Sequence, residues 1–182
     1  MTTATATAKP SERTGVVTFK GNPLTLIGTG IKAGDRAPEF EVVAQDLSTV
    51  TLAAGRGKTL LISAVPSIDT PVCDQETRRF NEEAAKLPGN VEIWTISMDL
   101  PFAQKRWCGA AGIGAITVVS DYQHASFGKA YGLLIKELRL LTRAIVVVDA
   151  AGTVRYVEVV PEVTAHPNYE AALAAVKPLA RA

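Results

Sequence analysis

The stretch Thr59-Leu60-Leu61-Ile62-Ser63-Ala64-Val65 constrains this chain more than any other, because it offers no polar side to solvent. Polar residues occur only at Ser63 and at its edge, the pattern of a strand buried on both faces. The loop Pro66-Ser67-Ile68-Asp69 follows, and then Thr70-Pro71-Val72-Cys73 opens a helical segment that runs to Leu87. Thr70 suits the N-cap, and Pro71 suits the first helical position, where its missing N–H costs nothing. Cys73 then lies third in the helix, in the turn whose backbone N–H groups have no intrahelical partners. Those groups and the helix dipole favour negative charge, and hence the thiolate, which is the nucleophilic form of cysteine. A reactive cysteine is the reading this placement favours. An inert core cysteine is the plain alternative, since free cysteine is among the most buried residue types.

The remaining elements can be read around that strand. Val16–Phe19 and Leu24–Ile27 flank the turn Lys20-Gly21-Asn22-Pro23 and form an N-terminal hairpin. Gly28-Thr29-Gly30 opens a connecting loop, because no strand–turn–helix context makes it a phosphate cradle. Short strands are expected at Glu39–Val43 and Val50–Leu52. In the helix after Thr70, residues Cys73, Thr77, Phe80, Ala84 and Leu87 share one face, while Gln75, Arg78, Glu82 and Lys86 share the other. Val91–Met98 is the next strand, and Pro101 starts a helix that should end at Cys108, with Gly109 as its terminator. A strand at Ala115–Ser120 and a short helix at Ser126–Tyr131 follow. Then come a hairpin of Ala144–Asp149 with Val154–Val160, and a last helix capped by Asn168 with Tyr169, Leu173, Val176 and Ala180 on one face. This alternation predicts an α/β fold, a central mixed sheet flanked by helices.

A length of 182 residues suits one domain, expected over residues 15–182 behind a flexible tail at 1–14. The formal net charge of +1 asks for no nucleic acid and no anionic membrane. No apolar run approaches the roughly 20 residues of a membrane helix, and the Thr/Ala-rich start lacks a secretory pattern, so a cytoplasmic location is expected. There, two cysteines point to transient, catalytic pairing rather than a permanent staple. His124 and His166 form no recognised metal motif with them, and no Cys-x-x-Cys pair is present, so no metal or cofactor is expected.

Pro66-x-x-x-Thr70-x-x-Cys73 resembles the active-site signature of the peroxiredoxins, thioredoxin-fold peroxidases that reduce hydroperoxides with a cysteine. The longer match through Thr77-Arg78-Arg79-Phe80-Asn81 resembles the thiol peroxidase branch. So do Asp99-Leu100-Pro101-Phe102-Ala103-Gln104-Lys105-Arg106-Trp107-Cys108-Gly109 and Arg143-Ala144-Ile145-Val146-Val147-Val148-Asp149. The likeness covers the chain from about Val17 to near its end. It implies a thioredoxin-like fold and a homodimer, with hydrogen peroxide and organic hydroperoxides as substrates and thioredoxin as reductant. Apolar residues around Phe102 and in Leu133–Leu141 are candidates for the dimer interface or the substrate pocket.

By the same resemblance, Cys73 is the residue oxidised by peroxide to a sulfenic acid, and Cys108 resolves it as an intramolecular disulfide. Pro66 shields the sulfur, Thr70 places a hydroxyl near it, and Arg143 supplies a cation to thiolate and peroxide. The plain readings are a turn for Pro66, a cap for Thr70, a solvated charge for Arg143 and an unpaired core cysteine for Cys108. Cys108 lies 108 − 73 = 35 positions from Cys73 and on another helix. A disulfide needs Cα atoms within about 7 Å, so pairing is expected to involve local unwinding around Val72–Asp74 and Arg106–Gly109. Glu76, Arg78 and Arg79 either tune the thiol or are simply solvated. Asp74 stands where the resemblance leads one to expect a small or neutral residue, and Trp107 where it leads one to expect phenylalanine.

Overall fold

The computed structural model describes residues 11–180. Its central sheet has the order β10-β9-β5-β6-β7-β3-β4, built from β3 (Glu41–Val43), β4 (Thr49–Thr51), β5 (Thr59–Ala64), β6 (Val91–Ser97), β7 (Thr117–Ser120), β9 (Ala144–Val148) and β10 (Val154–Val159). Strands β5, β6 and β7 run parallel, whereas β9 lies antiparallel to β5 and carries β10 antiparallel at the edge. The sheet is therefore mixed, as the order of elements implied. A second, three-stranded sheet joins β1 (Glu12–Phe19), β2 (Asn22–Ile27) and β8 (Leu134–Ile135).

Helices α1 (Pro71–Ala84), α2 (Pro101–Ala111), α3 (Ser126–Tyr131) and α4 (Tyr169–Val176) flank the central sheet. The strand β5 is buried along its whole length, and the pleat divides its side chains between two cores. Leu60, Ile62 and Ala64 join Phe40, Trp94, Phe127 and Tyr131 on one side. Leu61 joins Phe80 of α1, Ile145 and Val147 of β9, and Tyr169, Ala172 and Val176 of α4 on the other. This second layer fixes α1 against the sheet, with Phe80 packed on Tyr169 at 5.5 Å between ring centroids.

Several boundaries differ from those expected. Strand β1 begins at Glu12, so the tail expected over 1–14 is ordered strand from Glu12 onward, and residues 1–10 lie outside those described. The short β8 had no signal of its own, because Leu134 and Ile135 pair with β2 only through tertiary contact. Helix α2 does not stop at Gly109. It continues to Ala111 and ends on Gly112, whose φ of 68° is left-handed and whose N–H reaches the Cys108 carbonyl. Both glycines suit a helix terminus, but Gly112 is the one in the conformation that glycine tolerates best. Cys108 therefore sits inside the last turn rather than at the helix end. Helix α4 ends at Val176, with Ala172 rather than Leu173 fully buried. Of the apolar residues offered as candidates for an interface or the substrate pocket, Leu133, Leu134, Ile135 and Leu141 are buried in this chain, whereas Leu138 is 41% and Phe102 66% exposed.

Candidate active site

The loop after β5 delivers Cys73 to the first turn of α1. Pro71 takes the first helical position, and Thr70 takes the N-cap with extended backbone, as expected. Its side chain does not cap the helix, however. The Thr70 hydroxyl donates instead to the Ser67 carbonyl at 2.9 Å, and its backbone N–H bonds the same oxygen at 3.2 Å, which closes the loop into a tight turn. Pro66 is buried, and Cys73 is wholly enclosed against Val65 and Ile68, with Trp107 packed on this cluster.

The loop is held from the next strand–helix junction. Asp99 accepts bonds from the Ser67 hydroxyl at 2.7 Å and the Ile68 N–H at 2.9 Å, and its second oxygen also accepts from Ser97 Oγ at 2.6 Å. Ser97 Oγ in turn accepts from the Gln104 amide at 3.0 Å. Asp99 thus ties the segment before Cys73 to the start of α2, the helix that carries Cys108. The sequence places this aspartate in a motif, but nothing in the spacing reveals its partner loop.

Arg143 reaches the sulfur because of strand register. Ala64 of β5 pairs with Ala144 of β9, so the residue before β9 lies level with the start of the Cys73 loop. Side chains alternate along β9, and Arg143 shares the parity of Ile145 and Val147, which face α1. Its side chain is only 2% exposed. Nη2 donates to Cys73 Sγ at 3.2 Å, Nε donates to the Val163 carbonyl at 3.1 Å, and Nη1 donates to the Glu76 carboxylate. The solvated-charge reading of Arg143 is thereby replaced by a buried one.

Glu76 is the residue that sequence reasoning left undecided and the structure makes central. One turn after Cys73, it is fully buried between Arg143 and Ser63, whose hydroxyl donates to it at 2.7 Å. Ser63 was the single polar residue inside the apolar strand, and this contact explains it. A carboxylate that deep must be paired. Burial pushes the Glu76 carboxyl above its ordinary range, against the pull of Arg143 and Ser63. Burial also works against the Arg143 cation, but the charges of Glu76 and of the Cys73 sulfur outweigh it and hold the guanidinium above its ordinary value. The pair therefore fixes a cation beside the sulfur. Arg79, by contrast, lies over the Tyr169 ring at 4.0 Å and pairs with Glu170, which serves the α1–α4 contact.

Cys108 lies on the other helix and is also free. It is 7% exposed, and its sulfur accepts a hydrogen bond from the Gln45 amide at 3.3 Å. Burial raises its thiol pKa above the ordinary value, and the Gln45 bond partly offsets that rise. Beside the loop, an open pocket of about 340 Å³ is lined by Ile68, Asp69, Thr70, Pro71, Asp74, Gln75 and Trp107.

A buried cysteine at a helix start, level with the end of a central strand and paired with a guanidinium, defines a thiol-based redox protein of thioredoxin-like fold. The redoxin family model matches residues 32–173. A thiol peroxidase of Halalkalibacterium halodurans is 60% identical over 161 residues, covering 88% of this chain and 96% of that protein. A thiol peroxidase of Bacillus subtilis is 55% identical over 165 residues, covering 91% and 98%. The crystal structure of a peroxiredoxin-like protein from Aquifex aeolicus superposes with a TM-score of 0.85 at 45% identity, covering 92% of this chain and 97% of that one. The chain belongs to the redoxin family, in the thiol peroxidase branch of the peroxiredoxins.

Proposed function

We propose that this peroxidase reduces hydrogen peroxide and organic hydroperoxides through Cys73 and Cys108 and is recycled by thioredoxin. The Cys73 thiolate attacks the distal peroxide oxygen. The O–O bond breaks, the leaving oxygen departs as water or alcohol after taking a proton, and Cys73 becomes a sulfenic acid. Arg143 stabilises the thiolate and the charge that develops on the peroxide oxygens, and Glu76 keeps the guanidinium in place. Pro66 closes the site to water, and the Thr70 hydroxyl lies in the turn that the peroxide must enter. The Cys108 thiol then condenses with the sulfenic acid, releasing water and leaving a Cys73–Cys108 disulfide. A dithiol reduces it by exchange, and thioredoxin is that donor.

The observation that carries this reading is the 3.2 Å contact between Arg143 Nη2 and Cys73 Sγ at the start of α1. Two free cysteines on different helices support the two-cysteine cycle. Condensation requires Cys73 to leave Arg143 and Cys108 to leave Gln45, so the first turn of α1 and the last turn of α2 must loosen. A homodimer belongs to the same reading, and the exposed pair Leu100 and Phe102 gives it an apolar surface to bury. A cytoplasmic site of action fits a thiol cycle that depends on reduction. No helix among the described residues is long and apolar enough to cross a membrane.

The test is hydroperoxide consumption coupled to NADPH through thioredoxin and its reductase, with hydrogen peroxide and cumene hydroperoxide in parallel. Sustained turnover is expected in the wild type, none in Cys73→Ser, and a stalled cycle in Cys108→Ser. A wild type inert toward both peroxides, with any dithiol, would overturn the proposal.

A further inference from the structure

Asp74 and Trp107, the sequence neighbours of the two cysteines, bond to each other. Trp107 Nε1 donates to Asp74 Oδ1 at 3.1 Å, and the other Asp74 oxygen accepts from Arg78 Nε at 2.9 Å. Arg78 also donates through Nη1 to the Ala111 carbonyl at 3.2 Å, and its guanidinium lies 5.7 Å from the centre of the Trp107 ring. Asp74 is the residue after Cys73, and Trp107 the residue before Cys108. Ala111 is the last residue of α2, where carbonyls lack intrahelical donors.

We propose that Asp74, Arg78 and Trp107 form a latch that keeps both thiol-bearing helix ends folded in the reduced protein, and so sets how fast Cys108 captures oxidised Cys73. On the α1 side, Asp74 lies in the first turn and pairs with Arg78 one turn later, which favours the helical form of the segment around Cys73. On the α2 side, Arg78 satisfies a terminal carbonyl and Trp107 is held to the neighbouring helix, which favours the wound form of the turn around Cys108. Both turns must loosen before the sulfurs can meet, so every latch bond adds to the barrier of the resolving step. The hydrogen bonds of the latch go to neither Arg143 nor Glu76, and because Trp107 packs on the Cys73 cluster the rate of Cys73 oxidation is measured separately in each variant.

The inference rests on the two-cysteine cycle proposed above and adds a competition to it. While the latch is closed, a Cys73 sulfenic acid can meet a second hydroperoxide, which transfers one oxygen to give the sulfinic acid and departs as water or alcohol. Once the latch opens, Cys108 consumes the sulfenic acid and water leaves. The latch therefore partitions Cys73 between a reversible and an irreversible oxidation state.

Trp107→Phe keeps a ring and removes only the donor, and Asp74→Ala removes the acceptor for both partners. One loosened charge-assisted bond at a partly exposed site corresponds to about a three- to tenfold faster disulfide formation. The reaction is followed by acid quench, thiol alkylation and mass spectrometry after one equivalent of hydrogen peroxide. At excess peroxide the sulfinic fraction should fall in both variants, and amide exchange of the reduced protein should quicken at Asp74 and Ile113, whose N–H groups bond the Thr70 carbonyl at 2.9 Å and the Cys108 carbonyl at 3.0 Å. Unchanged exchange in both variants would overturn the latch. Faster exchange with an unchanged disulfide rate and sulfinic fraction would overturn its control of resolution. A wild type that forms no Cys73–Cys108 disulfide would overturn the two-cysteine cycle together with the rate-setting role, whereas the exchange data, taken without peroxide, would still decide whether the latch exists.

Discussion

Replacing Arg143 by lysine tests the geometry of the site most sharply, because it preserves charge and removes the fork. In the structure three guanidinium nitrogens serve three partners, namely the Val163 carbonyl, the Glu76 carboxylate and Cys73 Sγ. A lysine ammonium is a single point of attachment, and the buried carboxylate of Glu76 is its strongest attractor. Cys73 then loses its donor while the site keeps its net charge. One hydrogen bond to a charged group contributes about 1.5–3 kcal/mol, which corresponds to a fall of about ten- to hundredfold in the rate of Cys73 oxidation. Stopped-flow measurement of that step against hydrogen peroxide reads the change directly, with thermal unfolding as a control for the fold. A loss smaller than about threefold would show that charge alone suffices and would refute the argument from the fork.

Arg143→Met separates stability from chemistry. Glu76 would then be a buried carboxylate without its cation, at a cost of about 3–5 kcal/mol near neutral pH. Burial already raises the Glu76 pKa in the folded state, so the folded variant favours the protonated acid. Stability is then greatest below the unfolded carboxyl's ordinary value and falls as pH rises above it. A thermal midpoint that recovers as pH is lowered toward 5 is the expected result, and a flat profile would contradict it.

Three further outcomes follow from other contacts. Asp99→Ala releases Ser67 and Ile68 and should slow Cys73 oxidation about tenfold through a looser loop, read by the same stopped-flow assay, while Asp99→Asn should retain part of the rate. Burial raises the Cys108 pKa, so condensation in single-turnover experiments should keep accelerating above the ordinary thiol range of about 8.5, and Gln45→Ala should move the rise to still higher pH. Glu162 accepts bonds from Thr18, Thr164 and the backbone of Lys20 and Gly21, which holds its carboxyl well below the usual range. Its stabilising contribution is complete above the unfolded value and is lost as pH falls below it, so thermal stability should decline more steeply between pH 5 and 3 in the wild type than in Glu162→Gln.

Much of this architecture was legible in the chain because it depends on local patterns. An apolar run without a polar face identified β5, Thr70-Pro71 marked the start of α1, and their sequence neighbour Cys73 fell in the first turn. The short helix at Ser126–Tyr131 and the Asn168 cap were equally local, the latter realised as a bond from the Ala171 N–H at 3.0 Å. Gly109 and Gly112 show the limit of such signals, since either could end α2 and only the packed chain selects between them.

The sequence by itself determined the strand, the helix start and the cysteine placed there, because hydrophobic periodicity and capping act within a few residues. The tertiary structure alone decided what surrounds the sulfur. The register of β9 against β5 brought Arg143 to Cys73 across 70 positions, and with it Glu76 ceased to be a surface acid and became the buried partner of that cation. The same holds for Asp99 on the Cys73 loop and for the bond between Asp74 and Trp107, each joining segments more than 30 positions apart. Charge and hydrogen-bond partners across such distances are set by sheet pairing and layer packing, which no local pattern encodes.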